Sequence, residues 1–369
     1  MRIFIVLFMV ICMASFLFFP IEGQAIGDNK EPVPSTDHYI LLEQTTGRVL
    51  LENNAHDRMS VASITKLMTA VVALEYGNLK DTVEVSEEAV QTNGSSIYLE
   101  VGEELTLEDL LYGLMLRSGN DAAKVIAEHI GGSEEGFVYL MNETAAYIGM
   151  TDSQFKNPHG LDEKGHYSSA YDIAILMQYA MQNETFQKIS STTSYHSEKR
   201  TYPWRNKNRL LTEKYEYATG GKTGFTNQAG RTLVSTAEKD QLQYIAVTLD
   251  APDDWNDHIS LYDWGFSSFD LVKLEKAGER NFITEESVYA GIVPYDVVFP
   301  LHEEEQEKIK KTVQLYKSND KDKVGLMTFI VDNQEVIEVP IFETSNAKQP
   351  GKQSWLNRWR KIIKGDRHD

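Results

Sequence analysis

A lysine in the middle of an otherwise uncharged, apolar segment constrains this chain more than any other feature. From Val61 to Leu74 the only charge is Lys66. Ile64, Leu67, Met68, Val71 and Val72 recur at the i, i+3, i+4, i+7, i+8 spacing of an amphipathic helix. The opposite face carries mostly small residues, Ala70 and Ala73 among them, so the spacing predicts a helix buried all round. Burial disfavours the ammonium form, lowers the pKa of Lys66 and leaves an amine able to act as a base near neutral pH. Ser63 lies three residues earlier, on the same helical face, within hydrogen-bond reach of that amine. The pair is therefore a candidate nucleophile beside a desolvated base. Because Ser63 sits at the helix start, its backbone N–H has no partner inside the helix and can receive negative charge, as one donor of an oxyanion hole.

Ser-x-x-Lys is a short pattern, and the chain repeats it at Ser153, Ser318 and Ser345. Those three stand in polar surroundings and read as surface coincidences. The match at Ser63 is followed in order by one Ser-x-Asn, Ser118-Gly119-Asn120, and one Lys-Thr-Gly, Lys222-Thr223-Gly224.

Along the chain, Tyr39–Glu43 and Val49–Glu52 read as a hairpin leading into the Ser63 helix, which stops near Gly77. Thr106-Leu-Glu-Asp109 is a capping-box start to a helix running up to Ser118. Helices are expected over 121–129, 135–148 and 168–181, and strands over 231–237 and 242–249, followed by a helical run over 257–269. Strands at both ends with helices between predict an α/β (α+β) domain: one antiparallel sheet covered by helices, with a helical subdomain. From about Leu274 only short strands follow, the last pair turning at Asp332-Asn333. The expected division is 1–25 signal peptide, 26–274 catalytic domain, 275–346 β-rich domain and 347–369 basic tail.

The chain carries a formal net charge of -19, and its acidic body argues against nucleic-acid binding. The apolar run Ile3–Phe19 behind Arg2, with Gly23-Gln24-Ala25 after it, reads as an export signal, so the working part is expected outside the cytoplasm. The only cysteine, Cys12, lies inside that run, and the nine His form no His-Glu-x-x-His pattern. Neither a metal nor any other cofactor is expected. In the tail, Trp355, Trp359, Ile362 and Ile363 fall on one helical face while Arg358, Arg360, Lys361 and Lys364 crowd the rest. That pattern predicts an amphipathic helix lying in an anionic membrane surface without crossing it.

The ordered set Ser-x-x-Lys, Ser-x-Asn, Lys-Thr-Gly resembles the penicillin-binding proteins and serine β-lactamases. The stretches Leu116-Arg-Ser-Gly-Asn-Asp-Ala-Ala123, Asn157-Pro-His-Gly-Leu-Asp162, Tyr167-Ser-Ser-Ala170 and Asn206-Lys-Asn-Arg-Leu-Leu211 narrow the likeness. They resemble the serine D-alanyl-D-alanine carboxypeptidases, the low-molecular-mass penicillin-binding proteins of peptidase S11 type, above all their sporulation-associated branch. The resemblance implies a penicillin-binding-protein fold, removal of the terminal D-Ala from peptidoglycan stem peptides, and inhibition by β-lactams. It implies a location on the outer face of the cytoplasmic membrane, or of the forespore membrane during sporulation.

By the same resemblance Ser63 attacks the penultimate D-Ala carbonyl and Lys66 takes its proton. Ser118, with Lys222, passes a proton to the leaving amine, and Asn120 holds the substrate amide. Lys222, Thr223, Gly224 and Phe225 line the substrate, with Thr223 on the terminal carboxylate and the Phe225 N–H as second oxyanion donor. His159 and Asp172 are expected to fix the surroundings of the site. Better-known relatives carry an Arg after the strand following Lys-Thr-Gly; this chain has Leu249-Asp-Ala-Pro-Asp-Asp-Trp255 there, which bears on carboxylate binding. Two other readings compete. A β-lactamase would need a deacylating Glu, for which Glu163 and Glu184 are the candidates without the surrounding pattern; a non-catalytic wall-binding protein would need a motif residue replaced, and none is.

Overall fold

The computed structural model describes residues 30–283, 288–316 and 323–344. The expected signal segment, the basic tail, Ser318 and Ser345 lie outside them. The hairpin forms as the sequence predicts: β1 (His38–Glu43) and β2 (Val49–Asn53) pair antiparallel. The fully buried Glu43 carboxylate caps the turn, accepting from Thr45 N at 3.1 Å, Thr46 N at 2.6 Å and Thr46 Oγ1 at 2.5 Å. These bonds offset part of the burial that pushes its pKa up.

The chain returns to this hairpin after about 165 residues of mostly helical structure. Strands β3 (Ala218–Thr226), β4 (Gly230–Lys239) and β5 (Leu242–Leu249) complete an antiparallel sheet of order β2-β1-β5-β4-β3. β5 is buried along almost its whole length because both faces of the sheet are covered. Its side chains alternate: Ile245, Val247 and Leu249 join the core built with the helices, while Tyr244 and Ala246 pack with Leu261 and Tyr262 of a helix on the other face.

The stretch around Lys66 differs from a plain α-helix. Ala62–Thr65 is a 3-10 turn, and the α-helix α1 begins at Lys66 and runs to Tyr76. Three residues per turn stack Ser63 directly over Lys66, a closer alignment than the expected α-helical one. Every residue from Lys66 to Ala73 is buried, as the pattern of small and apolar side chains requires. Gly77 ends the helix, but with φ -101° rather than in the left-handed region. Space selects glycine there: a Cβ would lie 2.5 Å from both Ile130 Cδ1 and Leu107 Cδ2.

The capping box at Thr106 is present, with Thr106 Oγ1 accepting from Asp109 N and Asp109 Oδ2 accepting from Thr106 N. The helix it opens, α2 (Leu107–Tyr112), passes into a π-helical turn over Gly113–Arg117 and ends at Ser118 with φ 63°. Then follow α3 (Asn120–Gly131), α4 (Glu134–Ile148), α5 (Ala170–Ala180) and α6 (Glu184–Ser191). The sequence pattern stops before α6, because two turns burying only Phe186, Ile189 and Ser190 give too short a repeat to register. The helix after β5, α7, covers Asp254–Ser268.

Beyond α7, β6 (Phe269–Glu275) and β7 (Gly278–Ile283) appear where the sequence reading had no strand. β8 (Val288–Val293), β9 (Val297–His302), β10 (Lys310–Leu315), β11 (Lys323–Val331) and β12 (Gln334–Glu343) follow. β6 pairs with β9, and the rest form a sheet of order β7-β8-β12-β11-β10. Asp332 and Asn333 have φ 46° and 67°, the left-handed pair of a tight hairpin turn, as their chemistry predicts. This β-rich part is tied to the first sheet by Arg48. Its guanidinium donates to Pro300 O and both Glu305 oxygens and lies 5.2 Å from the centroids of the Phe269 and Phe299 rings. Among the described residues no helix is long and apolar enough to cross a membrane.

Candidate active site

Lys66 is fully buried, and its Nζ touches three oxygens: Ser63 Oγ at 3.0 Å, Asn120 Oδ1 at 2.7 Å and the main-chain carbonyl of His159 at 2.5 Å. Burial first, then the charges of Lys222 and Lys207, hold its pKa well below the usual lysine value, against a smaller opposing pull from Asp121. Two of the three oxygens are carbonyls and can only accept. A neutral amine spends its two N–H donors on them, which turns its lone pair toward the Ser63 hydroxyl. The amide of Asn120 is fixed in this sense because its Nδ2 donates to Asn93 O at 2.6 Å.

A second lysine–serine pair stands beside the first. Lys222 Nζ donates to Ser118 Oγ at 3.0 Å and to Thr223 O at 2.7 Å. Burial, with Lys207 adding to it, lowers the Lys222 pKa to about 7. The left-handed backbone of Ser118 follows from the π-helical turn before it, which delivers the hydroxyl into the cleft while α3 starts at Asn120. Lys207 is a third cation. Its side chain is exposed at the cleft mouth, partial desolvation and then the charge of Arg117 lower its pKa, and its Nζ reaches Ser95 Oγ at 3.4 Å. Among the described residues none of these three lysines forms a salt bridge with a carboxylate. Asp121 is engaged elsewhere, accepting from Ser96 Oγ at 2.6 Å and from the Ile97 and Leu99 amides.

Two glycines set the walls of the cleft. At Gly224 a Cβ would lie 2.9 Å from Ser63 N and 2.4 Å from Thr232 Oγ1, so only glycine lets β3 pass this close to the nucleophile turn. Gly160, with φ +83°, would place a Cβ 2.0 Å from Ala62 O. Its loop is bolted to α1 and the turn before it. Thr69 Oγ1 donates to Pro158 O at 2.5 Å, Asn157 Oδ1 accepts from Gly160 N at 2.8 Å, and His166 Nε2 lies 2.8 Å from Thr65 Oγ1. His166 Nδ1 accepts from Lys156 N, so Nε2 carries the proton and donates to Thr65. Burial lowers the pKa of His166 to about 4 and that of His159 to about 3, so both rings are neutral at physiological pH.

The structure thus brings together two adjacent hydrogen-bonded groups, Ser63, Lys66 and Asn120 in one and Ser118 and Lys222 in the other, with Thr223, Gly224 and Phe225 following Lys222 on β3. The Phe225 side chain is 64% exposed, opposite Arg231 of β4. Ser153 does not pair with Lys156: its hydroxyl donates to Asp172 Oδ2 at 2.7 Å. Glu163 is bound to Asn157 Nδ2 at 3.0 Å, and Glu184 lies in the first turn of α6. Arg231 is held at the start of α7, donating to Asp254 Oδ1 at 2.6 Å with its guanidinium 5.6 Å from the Trp255 ring. Sequence reasoning missed two participants. The His159 carbonyl carries no side-chain signal, and Lys207 stands inside a quoted motif, Asn206-Lys-Asn-Arg, without being singled out.

Comparison with known proteins gives the family of the chain. A family model described as Peptidase S11, D-alanyl-D-alanine carboxypeptidase, matches residues 28–253. The D-alanyl-D-alanine carboxypeptidase DacF of Bacillus subtilis is 34% identical over 345 residues, spanning 86% of this chain and 87% of the relative. DacC of Escherichia coli is 34% identical over 296 residues, spanning 73% of this chain and 70% of its own. Among solved structures, penicillin binding protein 5 from Haemophilus influenzae superposes with a TM-score of 0.73 at 27% identity, covering 85% of this chain and 98% of that one.

Proposed function

Because this chain belongs to the peptidase S11 family of D-alanyl-D-alanine carboxypeptidases, we propose that Ser63 and Lys66 cleave the terminal D-Ala from peptidoglycan stem peptides through a serine acyl-enzyme. The observation that carries this reading is the buried Lys66 amine, 3.0 Å from Ser63 Oγ and held by two carbonyls that can only accept, so that in its neutral form the lone pair is left for the Ser63 hydroxyl. Ser63 Oγ attacks the penultimate D-Ala carbonyl as Lys66 takes the hydroxyl proton. The Ser63 and Phe225 amides receive the oxyanion. Lys222, at a pKa of about 7, shares a proton with Ser118, which hands it to the departing amine. Asn120 holds the substrate amide, and Thr223 binds the terminal carboxylate in the positive field of Lys222 and Lys207. Water then attacks the acyl carbon and frees Ser63.

D-Alanine release from a soluble pentapeptide stem, followed by the full-length chain, tests the reaction. Penicillin should leave an adduct on the peptide carrying Ser63 that survives denaturing electrophoresis. An adduct elsewhere refutes the assignment, and rapid turnover of a chromogenic cephalosporin would favour a β-lactamase. We also read 275–346 as a spacer or docking domain, and sporulation, with the spore cortex as substrate, as the setting.

The tail reading is a separate part of this proposal. The face of Trp355, Trp359, Ile362 and Ile363, flanked by cations, fits interfacial binding to anionic lipid. A chain ending at Ala347 is expected to lose binding to anionic vesicles while releasing D-alanine from soluble substrate at the full-length rate. Equal vesicle binding with and without the tail would reject it as the anchor.

A further inference from the structure

Beside Ser118 a groove of about 1070 Å³ opens between the 96–103 loop and the 199–205 segment, with Arg117 at one side. It adjoins the nucleophile cleft. Ser95 O accepts from Asn120 N at 2.7 Å, and Leu116 O accepts from Lys207 N at 3.0 Å, so the same two segments border both spaces. We propose that this groove is a second recognition site, binding a carboxylate-bearing part of the stem peptide whose terminal D-Ala is removed at Ser63. The proposal rests on the reaction assigned above and adds the feature of the substrate that is selected.

Charge is the first argument. The whole chain is at -19, yet four cations and only two carboxylates line the groove. One cation is already satisfied: Arg200 donates to Glu103 Oε2 at 2.8 Å and to Tyr98 O at 3.1 Å, tying the two walls together. Arg117 donates only to a carbonyl, Arg205 O, at 3.2 Å. Among the described residues the side chains of Lys199 and Arg205 have no carboxylate partner. Arg117, Lys199 and Arg205 therefore line the groove unneutralised and outnumber the remaining carboxylate, Glu100; Arg117 is close enough to Lys207 to lower its pKa, so the cations extend toward the cleft as an anion site, and the acidic body disfavours polyanions.

The groove is also built rigidly. Tyr195 stacks on Tyr112 with centroids 3.7 Å apart and 7° between planes, and its hydroxyl donates to Asp109 Oδ1 at 2.8 Å. Trp204 lies against Tyr195 at 6.2 Å, so the groove wall is fixed from behind. Tyr98 and Tyr202 remain 81% and 79% exposed. Tyr98 does so at φ 60°, a left-handed conformation that disfavours a large side chain. Exposed rings beside unpaired cations suit a peptide that carries both carboxylates and methyl or methylene groups; a neutral sugar would leave the cations unused.

Two pentapeptides test the proposal, one with free side-chain carboxylates and one with these amidated, both keeping the terminal D-Ala carboxylate. Wild-type kcat/KM for D-alanine release is expected to be about 10-fold higher for the carboxylated peptide, an effect reduced at high salt. The Arg205→Gln, Lys199→Gln double variant, first checked for acylation by penicillin, is expected to bring the ratio to within about 2-fold of unity. Equilibrium binding of both peptides to Ser63→Ala protein reads the groove without the reaction, with the same 10-fold preference expected. Equal binding of the two peptides, or a full preference kept by the double variant, overturns the groove. Preserved preference without D-alanine release supports the groove and sinks only the reaction reading.

Discussion

Lys66→Ala is expected to lower the rate of acylation by penicillin, and of D-alanine release, by about 10³- to 10⁴-fold. The fold should survive, because the change removes a desolvated amine from a helix whose other residues from Leu67 to Ala73 are already buried and uncharged. It also leaves Asn120 Oδ1 and the His159 carbonyl without their shared donor, so a loss of about 1–3 kcal/mol from unsatisfied acceptors is expected. The activity loss far exceeds what that perturbation explains, and the pH profile separates the two. In the wild type, acylation falls with decreasing pH as the lowered Lys66 pKa is crossed and the amine becomes protonated. In the variant that limb should vanish. Acylation within 10-fold of wild type, or an unchanged acid limb, would remove Lys66 from the role of base.

Gly160→Ala is expected to destabilise the protein by more than about 3 kcal/mol, far more than a change of one methyl group in a loop normally does. Two effects add. At φ +83° any Cβ costs roughly 1–2 kcal/mol, and this Cβ would stand 2.0 Å from Ala62 O and 2.9 Å from Thr65 Oγ1. The backbone must move, and what moves is the turn carrying Ser63 or the loop whose His159 carbonyl holds Lys66. Acylation should therefore fall even in the folded fraction. Gly102→Ala is the control, since Gly102 has φ +76° but nothing within 4 Å of its Cβ position. Thermal melting of both should give a much smaller drop for Gly102→Ala; equal drops would mean that the contact with Ala62 carries no weight.

The sequence was most legible where chemistry and burial coincide. Lys66 stands out because a charge among small and apolar residues has few explanations, and the same contrast separates Ser63 from Ser153. The capping box at Thr106 and the Asp332-Asn333 turn could be read because each depends on local bonds between neighbours. The 3-10 turn at Ala62 and the left-handed Ser118 could not. Neither has a residue signature of its own: the 3-10 turn passes against the Gly160 loop, and Ser118 takes its left-handed backbone at the end of a π-helical turn. β6 and β7 were missed because they follow α7 with little intervening turn sequence, and their half-exposed side chains give only a weak alternation. Lys207 was passed over for a similar reason. Its significance lies in which other lysines it faces, and a linear chain does not display that.

That Lys66, Lys207 and Lys222 have no carboxylate partner among the described residues bears on how much folded protein there is, as well as on how fast it works. The buried Lys66 and Lys222 amines resist protonation, as does Lys207 beside them, and an anionic ligand in the cleft favours their charged forms. Ligand that binds only the native state deepens the native well in proportion to the logarithm of its concentration. Resistance to unfolding and proteolysis is therefore expected to rise with the concentration of an anionic stem peptide that binds the cleft.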